Sequence, residues 1–186
     1  MAPVVSAGPY PLWAYYPPSD RPDAWAWDFV EVVSGAQSAI DSAAAAHLTS
    51  DDVLRQLRPG LEGFGYLVES GKRRSEKIRR PVLFGEQGAE LVAYEVDAVN
   101  EALGIVVEIE AGRGARGNAV YRDLIRASLI VGADFLALGV MRSYRHLSGG
   151  KEMEVASYRD AKAQLDAIYA SGRLHLPFKG VLLFGY

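Results

Sequence analysis

Three acidic residues near the middle of the chain have the types and the spacing needed to bind a divalent cation. Asp97 lies in the segment Leu91–Val99, and Glu108 and Glu110 lie in a second segment, Ile105–Ala111. Both segments alternate apolar with acidic residues at a period of two, which is typical of half-exposed β-strands. The sequence therefore predicts that two strands position these carboxylates.

Turn residues separate the two segments and favour an antiparallel hairpin. A four-residue loop, Glu101–Gly104, predicts the opposed pairs Asn100–Ile105, Val99–Val106, Asp97–Glu108 and Glu95–Glu110. One face of the hairpin is then apolar and the other carries four carboxylates. Paired strands lie about 4.8 Å apart, and like charges directly opposite one another destabilise a sheet. A bound divalent cation is the simplest means of neutralising them.

The same residues resemble a known family. Asp97, ten intervening residues and then Glu108-Ile109-Glu110 are similar to the core of the PD-(D/E)xK nucleases. They match the variant in which Glu replaces the usual Lys, as in some type II restriction enzymes. The following GNAVYRDLIRASLI resembles the helix after that strand, and the resemblance covers roughly Glu62 to Gly139. Val96 stands where the family motif has Pro.

This resemblance implies a restriction-endonuclease-like α/β fold with a central mixed β-sheet flanked by helices. It also implies a DNA endonuclease that depends on Mg²⁺ or Mn²⁺, with Asp97, Glu108 and the Ile109 carbonyl as metal ligands. Glu110 takes the position that orients or deprotonates the attacking water. The candidates for the extra acid that some members supply are Glu62, Glu69 and Glu95. Because the Pro and the Lys are missing, the alternative is a noncatalytic nucleic-acid-binding or assembly module with a degenerate site.

A basic stretch, Lys72–Arg80, precedes the strand Pro81–Phe84 and holds six of the 20 basic residues of the chain. It has two interpretations: phosphate contacts beside the acidic face, or a solvated edge strand whose charges prevent pairing with another chain. The candidate nucleic-acid-binding residues are Arg73, Arg74, Arg79, Arg80, Arg113 and Arg116.

A GxGxxG motif, Gly112–Gly117, follows the second acidic strand and is the main rival signal. A dinucleotide site needs an apolar strand before this loop and an acid at the end of the next strand. Here Glu110 precedes the loop, and Asp134 begins the next strand instead of ending it. The glycines are better explained by a close approach of the backbone to a phosphodiester near a helix start.

The composition is that of an ordinary globular protein, with 49% hydrophobic and 23% charged residues among 186. We expect a single nuclease-like domain over 1–186, with an N-terminal arm and helices in 1–60 and the core in 61–186. The absence of cysteine excludes disulfides and thiolate chemistry. A net charge of −3 argues against a protein that coats nucleic acid nonspecifically. We also expect a cytoplasmic location, no membrane partner, DNA as the partner, and a homodimer, since duplex cleavage needs two cuts.

The remaining elements follow from periodicity and capping residues. The N-terminal residues Met1–Pro22 are too rich in proline for a helix and are interpreted as an extended arm. Tyr144, Arg145 and His146 follow the strand Asp134–Met141 and are interpreted as a plain loop, with the lining of a cleft as the alternative. The predicted helices are 23–48, Asp51–Leu57 ending at Pro59-Gly60, Val120–Val131 and Ser157–Ala170; the predicted strands outside the hairpin are Gly63–Glu69, Pro81–Phe84, Asp134–Met141 and Val181–Phe184.

Overall fold

A computed structural model describes residues 9–44, 48–112 and 118–186 of the chain. The fold is α/β, with a central mixed sheet flanked by helices, as the sequence predicts. The strands are β1 (Leu12–Tyr16), β2 (Leu67–Val68), β3 (Ile78–Phe84), β4 (Glu90–Val96), β5 (Ala98–Asn100), β6 (Ile105–Glu110), β7 (Phe135–Val140), β8 (Tyr144–Ser148), β9 (Lys151–Val155) and β10 (Gly180–Gly185). The helices are α1 (Ala24–Gly35), α2 (Gln37–Ile40), α3 (Ser50–Gly63), α4 (Ala119–Ser128) and α5 (Ser157–Ser171).

The central sheet has six strands in the order β1-β10-β7-β6-β5-β2. Its strands β6, β7 and β10 are parallel, so their carboxyl ends meet at one edge, while β1, β5 and β2 pair antiparallel. Helices α1 and α3 cover one face through Phe29 and Leu57, and α4 and α5 cover the other through Leu124 and Leu165. The sheet is therefore the middle layer of three.

Local capping chemistry explains where several helices begin and end. Thr49 and Asp52 form a reciprocal capping box at the start of α3, and Gly172 ends α5 with a positive φ of 60°. The prediction that the second helix ends before Pro59 was wrong, since α3 continues to Gly63. A proline inside a helix removes a backbone hydrogen bond, but burial of Leu61 with the rest of the apolar stripe of α3 outweighs that loss.

The long helix predicted over 23–48 is instead broken. Helix α1 ends at Gly35, the short α2 ends at Ile40, and Asp41 adopts an extended conformation. The break lets Ser42 reach the C-terminus of the chain, where its hydroxyl donates to the Tyr186 carbonyl. A contact between residues this far apart in sequence is invisible to helical periodicity.

The register of the central hairpin is as predicted. Asn100 pairs with Ile105 and Val99 with Val106, around a turn at 101–104. Gly104 has a φ of 67°, and a Cβ there would lie 2.8 Å from the Gly132 carbonyl oxygen, so glycine is needed at that position.

The first segment of the hairpin is not one strand, which corrects two expectations. Strand β4 ends at Val96 and pairs with β3 in a separate two-stranded sheet, where Glu95 lies opposite Arg79. The predicted Glu95–Glu110 pair is therefore absent. The pairing of β5 with β6 stops at Ala98–Val107, so the predicted Asp97–Glu108 pair is not part of the ladder. Asp97 occupies the break between β4 and β5.

Strand β6 is not half-exposed, because helices cover both of its faces. Ile105 and Val107 contribute to the core on the α1 and α3 side, and Val106 contributes to the core on the α4 and α5 side. Glu108 lies two residues beyond Val106 on that second face and is almost fully buried. The acidic face is thus the end of a covered core and not a solvent-facing surface.

Two further segments differ from, or extend, their sequence interpretation. Tyr144, Arg145 and His146 belong to β8, which pairs antiparallel with β9, so the loop assignment was wrong. Within the predicted N-terminal arm, Leu12–Tyr16 adds to the central sheet as β1, at its edge beside β10, and residues 1–8 lie outside the described residues. None of the helices in the described part of the chain is both long enough and apolar enough to cross a membrane.

Candidate active site

The candidate site lies where β4 gives way to β5, beside the carboxyl end of β6. The backbone amide of Asp97 donates to the Val107 carbonyl at 3.2 Å, and one carboxylate oxygen of Asp97 accepts from the Ile109 amide at 2.6 Å. The Asp97 side chain thus replaces the partner strand at this point of β6. Because the N–H and C=O of one residue leave a strand on the same side, the Ile109 carbonyl faces the same edge.

Asp97 and Glu108 are close enough to interact electrostatically, and both are acids in an unfavourable environment. Burial, together with the neighbouring charges of Asp97 and Asp123, raises the pKa of Glu108 to about 9, although Arg126 and Arg122 oppose the shift. Burial likewise raises the pKa of Asp97 to about 7, although the hydrogen bond from Ile109 opposes the shift. Within residues 9–44, 48–112 and 118–186, neither carboxylate forms an ion pair.

Glu110 has a different environment from its two neighbours. It is half-buried, and its carboxylate accepts from Arg122 Nη2 at 3.0 Å. Its backbone carbonyl accepts from the hydroxyl of Tyr186 at 3.1 Å. Glu110 is therefore held in place from both its side chain and its backbone, and its charge is partly neutralised.

Helix α4 contributes two site residues that the sequence interpretation did not select. Asp123 is buried and accepts from Arg122 Nε at 2.9 Å, and its charge acts on both Asp97 and Glu108. A signal was present, because Asp123 lies three residues after the buried Val120 and four before the buried Ala127. An aspartate on the buried stripe of an amphipathic helix needs a partner.

The three candidates for an extra acid differ in position. Glu69 is buried, its amide donates to the Asp97 carbonyl at 2.8 Å, and its charge acts on Asp97. Its carboxylate is engaged in a short ion pair with Lys77. Glu62 is exposed on α3, and Glu95 is exposed on the separate β3–β4 sheet. Of these acids, Glu69 is the one next to Asp97.

The basic stretch carries ion pairs of its own. Arg79 lies 3.4 Å from Glu90, Lys72 lies 3.2 Å from Asp51, and Arg80 forms a short pair with Glu101. In the part of the chain that the structure describes, Arg73 and Arg74 have no such partner.

The predicted phosphate-binding residues Arg113 and Arg116 lie outside the described residues, as does most of the GxGxxG segment. The dinucleotide interpretation also requires an acid at the carboxyl end of the next strand, and Asp134 does not lie there. Asp134 precedes β7 at the end of the sheet opposite to Gly112, where it pairs with Lys179 at 2.8 Å.

Among the described residues, no three side chains of the His, Asp or Glu type already converge in a group that could hold a metal ion. The site as it stands is the buried Glu108 beside the half-buried Asp97, with Glu110, Asp123 and Glu69 around them. Comparisons with known proteins add no further assignment: no protein-family model, no curated protein and no solved structure matches this chain.

The raised pKa values predict that the metal-free protein loses stability as pH rises. The folded protein keeps protons on Glu108 and Asp97 that the unfolded chain releases, so the free energy of unfolding falls from about pH 4.5 to about pH 9 and then levels off. One retained proton corresponds to a slope of at most about 1.4 kcal/mol per pH unit. Glu108→Gln should flatten this slope and be as stable as wild type, or more so, at the alkaline end.

Urea unfolding in EDTA across this pH range measures the slope. Glu31→Gln is the matched control, because Glu31 is exposed on α1 and its loss should leave the slope unchanged. A wild-type slope that Glu108→Gln fails to reduce would show that Glu108 is not the group that retains the proton.

Proposed function

We propose that this protein is a divalent-metal-dependent endonuclease that hydrolyses phosphodiester bonds in DNA. The observation that carries the proposal is the buried Glu108 beside the half-buried Asp97, two acids with raised pKa values that form no ion pair within the described residues. Burying ionised carboxylates without a counterion is costly. A divalent cation bound from solution would neutralise the two carboxylates and offset this cost.

The donor chemistry of the site fits Mg²⁺ or Mn²⁺. Hard cations prefer oxygen ligands, and Asp97, Glu108 and the Ile109 carbonyl offer three oxygen donors near the carboxyl end of β6. The second oxygen of Asp97 is the one available for this purpose, because the first accepts from the Ile109 amide. Glu69 is the favoured extra acid, since it is buried beside Asp97, provided that its bond to Lys77 opens. A bound metal would supply polarisation of the phosphoryl oxygen and a lowered pKa for a bound water.

Within this proposal Glu110 orients the attacking water and accepts its proton. Arg122 holds the Glu110 carboxylate, and Asp123 in turn holds Arg122. This chain of contacts fixes the direction in which Glu110 points, and fixed geometry is a large part of what a catalytic base contributes. Arg122 also limits the negative charge that an approaching phosphodiester would meet.

A second candidate function is a noncatalytic nucleic-acid-binding or assembly module. The observation in its favour is that no three acidic or histidine side chains converge as a metal-binding group in the described ranges. A module of this kind would bind DNA without hydrolysing it, so a cleavage assay separates the two functions.

We also propose that the protein acts as a homodimer. Tyr121 and Ile125 on α4 and Leu129, the residue that directly follows this helix, have four-residue spacing, and each is 39% to 51% exposed. A row of exposed apolar side chains on one helix is a surface that a second helix can cover. Two copies would place one site on each strand of a duplex.

The first expected outcome of the proposed function concerns the metal. Plasmid DNA should be cleaved in Mg²⁺ or Mn²⁺ and left intact in EDTA. Asp97→Ala and Glu108→Ala should abolish cleavage, while Glu31→Gln should retain the wild-type rate. Circular dichroism of each variant shows whether it is folded. Metal-independent cleavage, or full activity in folded Asp97→Ala, would refute the proposal, and DNA binding without any cleavage would favour the noncatalytic module.

The second expected outcome concerns the basic stretch, and it is measured as DNA affinity against salt concentration without Mg²⁺. Charge reversal at Arg73 and Arg74 should weaken binding to all sequences, because these two side chains are free of ion pairs in the described structure. Each lost phosphate contact should reduce the logarithmic salt slope by about 0.9. Arg79 and Arg80, already paired, should contribute less. The control is the double variant Arg159→Glu and Arg173→Glu, two exposed arginines outside the stretch whose reversal changes the net charge equally. An equal effect there would assign the change to net charge alone.

The third expected outcome concerns the α4 surface. Light scattering after gel filtration should give a dimer for wild type and a monomer for Ile125→Glu. Leu174→Glu is the control, because Leu174 is also 44% exposed but lies outside α4. A wild-type monomer at all accessible concentrations, with and without duplex DNA, would exclude the dimer.

A further inference from the structure

Lys77, the residue that directly precedes β3, lies beside the candidate active site. Ile78 pairs with Val96 across the β3–β4 sheet, so Lys77 is one step further along and level with Asp97. Its ammonium forms a short ion pair with the Glu69 carboxylate. By sequence Lys77 is one of the six cations of the basic stretch, but the structure turns it toward the acidic residues.

The ion pair of Lys77 with Glu69 is part of the electrostatics of the site. The Glu69 amide donates to the Asp97 carbonyl at 2.8 Å, which ties the two acidic residues together through the backbone. Burial is the main cause of the raised pKa of Asp97, and the charges of Glu69 and Lys77 act on that pKa in opposite directions. Lys77 is therefore a counterion that the metal-free site takes from its own chain.

Glu69 is held more firmly than Lys77. The Glu69 side chain is 6% exposed, and its backbone carbonyl accepts from Arg58 Nη2 at 2.7 Å while its amide is bonded to Asp97. The Lys77 side chain is 21% exposed, and its ammonium stands at the end of a flexible four-carbon stem. If the pair opens, Lys77 is the member that can turn into solvent, while Glu69 stays beside Asp97.

The chemistry of the three acids favours an exchange of one cation for another. Glu108 is 9% exposed and, like Asp97, forms no ion pair in the described parts of the chain. With a divalent cation at Asp97 and Glu108, the Lys77 ammonium faces a like charge, and Glu69 offers a further oxygen donor. Breaking a buried ion pair is costly when one charge is left unpaired, but Glu69 stays neutralised when the second cation replaces the first.

We propose that Lys77 competes with a divalent cation for the Glu69 carboxylate, so that Lys77 sets how readily the site is filled. In the metal-free protein Lys77 neutralises Glu69. When the cation binds at Asp97 and Glu108, Glu69 joins the ligands and Lys77 turns into solvent. The proposal rests on the proposed function, because it takes Asp97 and Glu108 to be metal ligands.

The first experiment follows Lys77 in the wild-type protein, with Mn²⁺ alone and no DNA. An N-hydroxysuccinimide ester of acetate labels exposed lysine amines, and peptide mass spectrometry gives the labelling rate at each lysine. Saturating Mn²⁺ should speed the labelling of Lys77 by about fourfold, which is the ratio of the 84% exposed side chain of Lys72 to the 21% exposed side chain of Lys77. Lys72 is the internal control, and its rate should not change.

The second experiment measures the Kd for Mn²⁺ from the electron paramagnetic resonance signal of the free ion. Lys77→Met removes the competing charge and keeps an unbranched side chain, so it should lower the Kd by about tenfold, a change usual for coupled sites. Glu69→Gln added to Lys77→Met should cancel this gain, because the extra carboxylate ligand is lost. Lys72→Met removes the same charge outside the site and should bind Mn²⁺ like wild type.

Three results would overturn the proposal. Labelling of Lys77 that stays constant or slows at saturating Mn²⁺ would show that Lys77 remains on Glu69. Equal Kd values for Lys77→Met and wild type would show that the two cations do not compete. A gain in affinity that persists in the double variant would show that Glu69 is not a ligand. Should Lys77→Met fail to fold, because it leaves Glu69 unpaired, the labelling of wild type still decides.

Plasmid cleavage by the wild-type protein separates this proposal from the nuclease proposal. If DNA is cleaved in Mg²⁺ and the labelling of Lys77 does not respond to the metal, the exchange proposal fails and the nuclease proposal stands. If Mn²⁺ releases Lys77 and no DNA is cleaved under any metal condition, the exchange takes place at a metal site of a protein that is not a nuclease.

Discussion

The hydrogen bond from the Ile109 amide to the Asp97 carboxylate is the interaction on which the candidate site depends. At this point the partner strand of β6 has ended, and a side chain takes the place of its backbone. Asp97 is thereby fixed beside Glu108 while its second oxygen stays available. This arrangement costs free energy because it removes two acids from water, and the loss of hydration raises the pKa of both groups. A cation would offset that cost.

The departure of β4 from the central sheet creates the space for this arrangement. If β4 and β5 were one continuous strand, backbone bonds would occupy the edge of β6 that Asp97 now uses. Because β4 pairs with β3 instead, the sheet opens beside Glu108 and Ile109. The carboxyl ends of β6 and β7 then meet both the acidic pair and an open pocket under the β8–β9 hairpin. The candidate site and the pocket therefore both lie at the carboxyl end of the parallel strands.

Helix α4 links the site to the rest of the molecule through its two faces. Its buried face carries Val120, Asp123 and Ala127, so Asp123 is held over the acidic pair and positions Arg122 against Glu110. Its outer face carries the exposed apolar row that we propose as a dimer contact. If a second copy packs on the outer face of α4, dimer formation would be coupled through Arg122 and Asp123 to the orientation of the Glu110 side chain.

The sequence by itself determined the features that depend on neighbouring residues. The turn and the alternation around it specified the pairing of Val99 with Val106, the apolar run specified β7, and Thr49 with Asp52 specified the start of α3. Only the tertiary structure decided which faces are covered and what lies across from each acid. Alternation reports that a strand has two kinds of face, but it cannot report that α4 buries the acidic one, that β4 turns away toward β3, or that Asp123 and the β8–β9 hairpin meet the site. Those outcomes depend on contacts between residues far apart in the sequence, and a local sequence pattern gives no information about the free energy of such contacts.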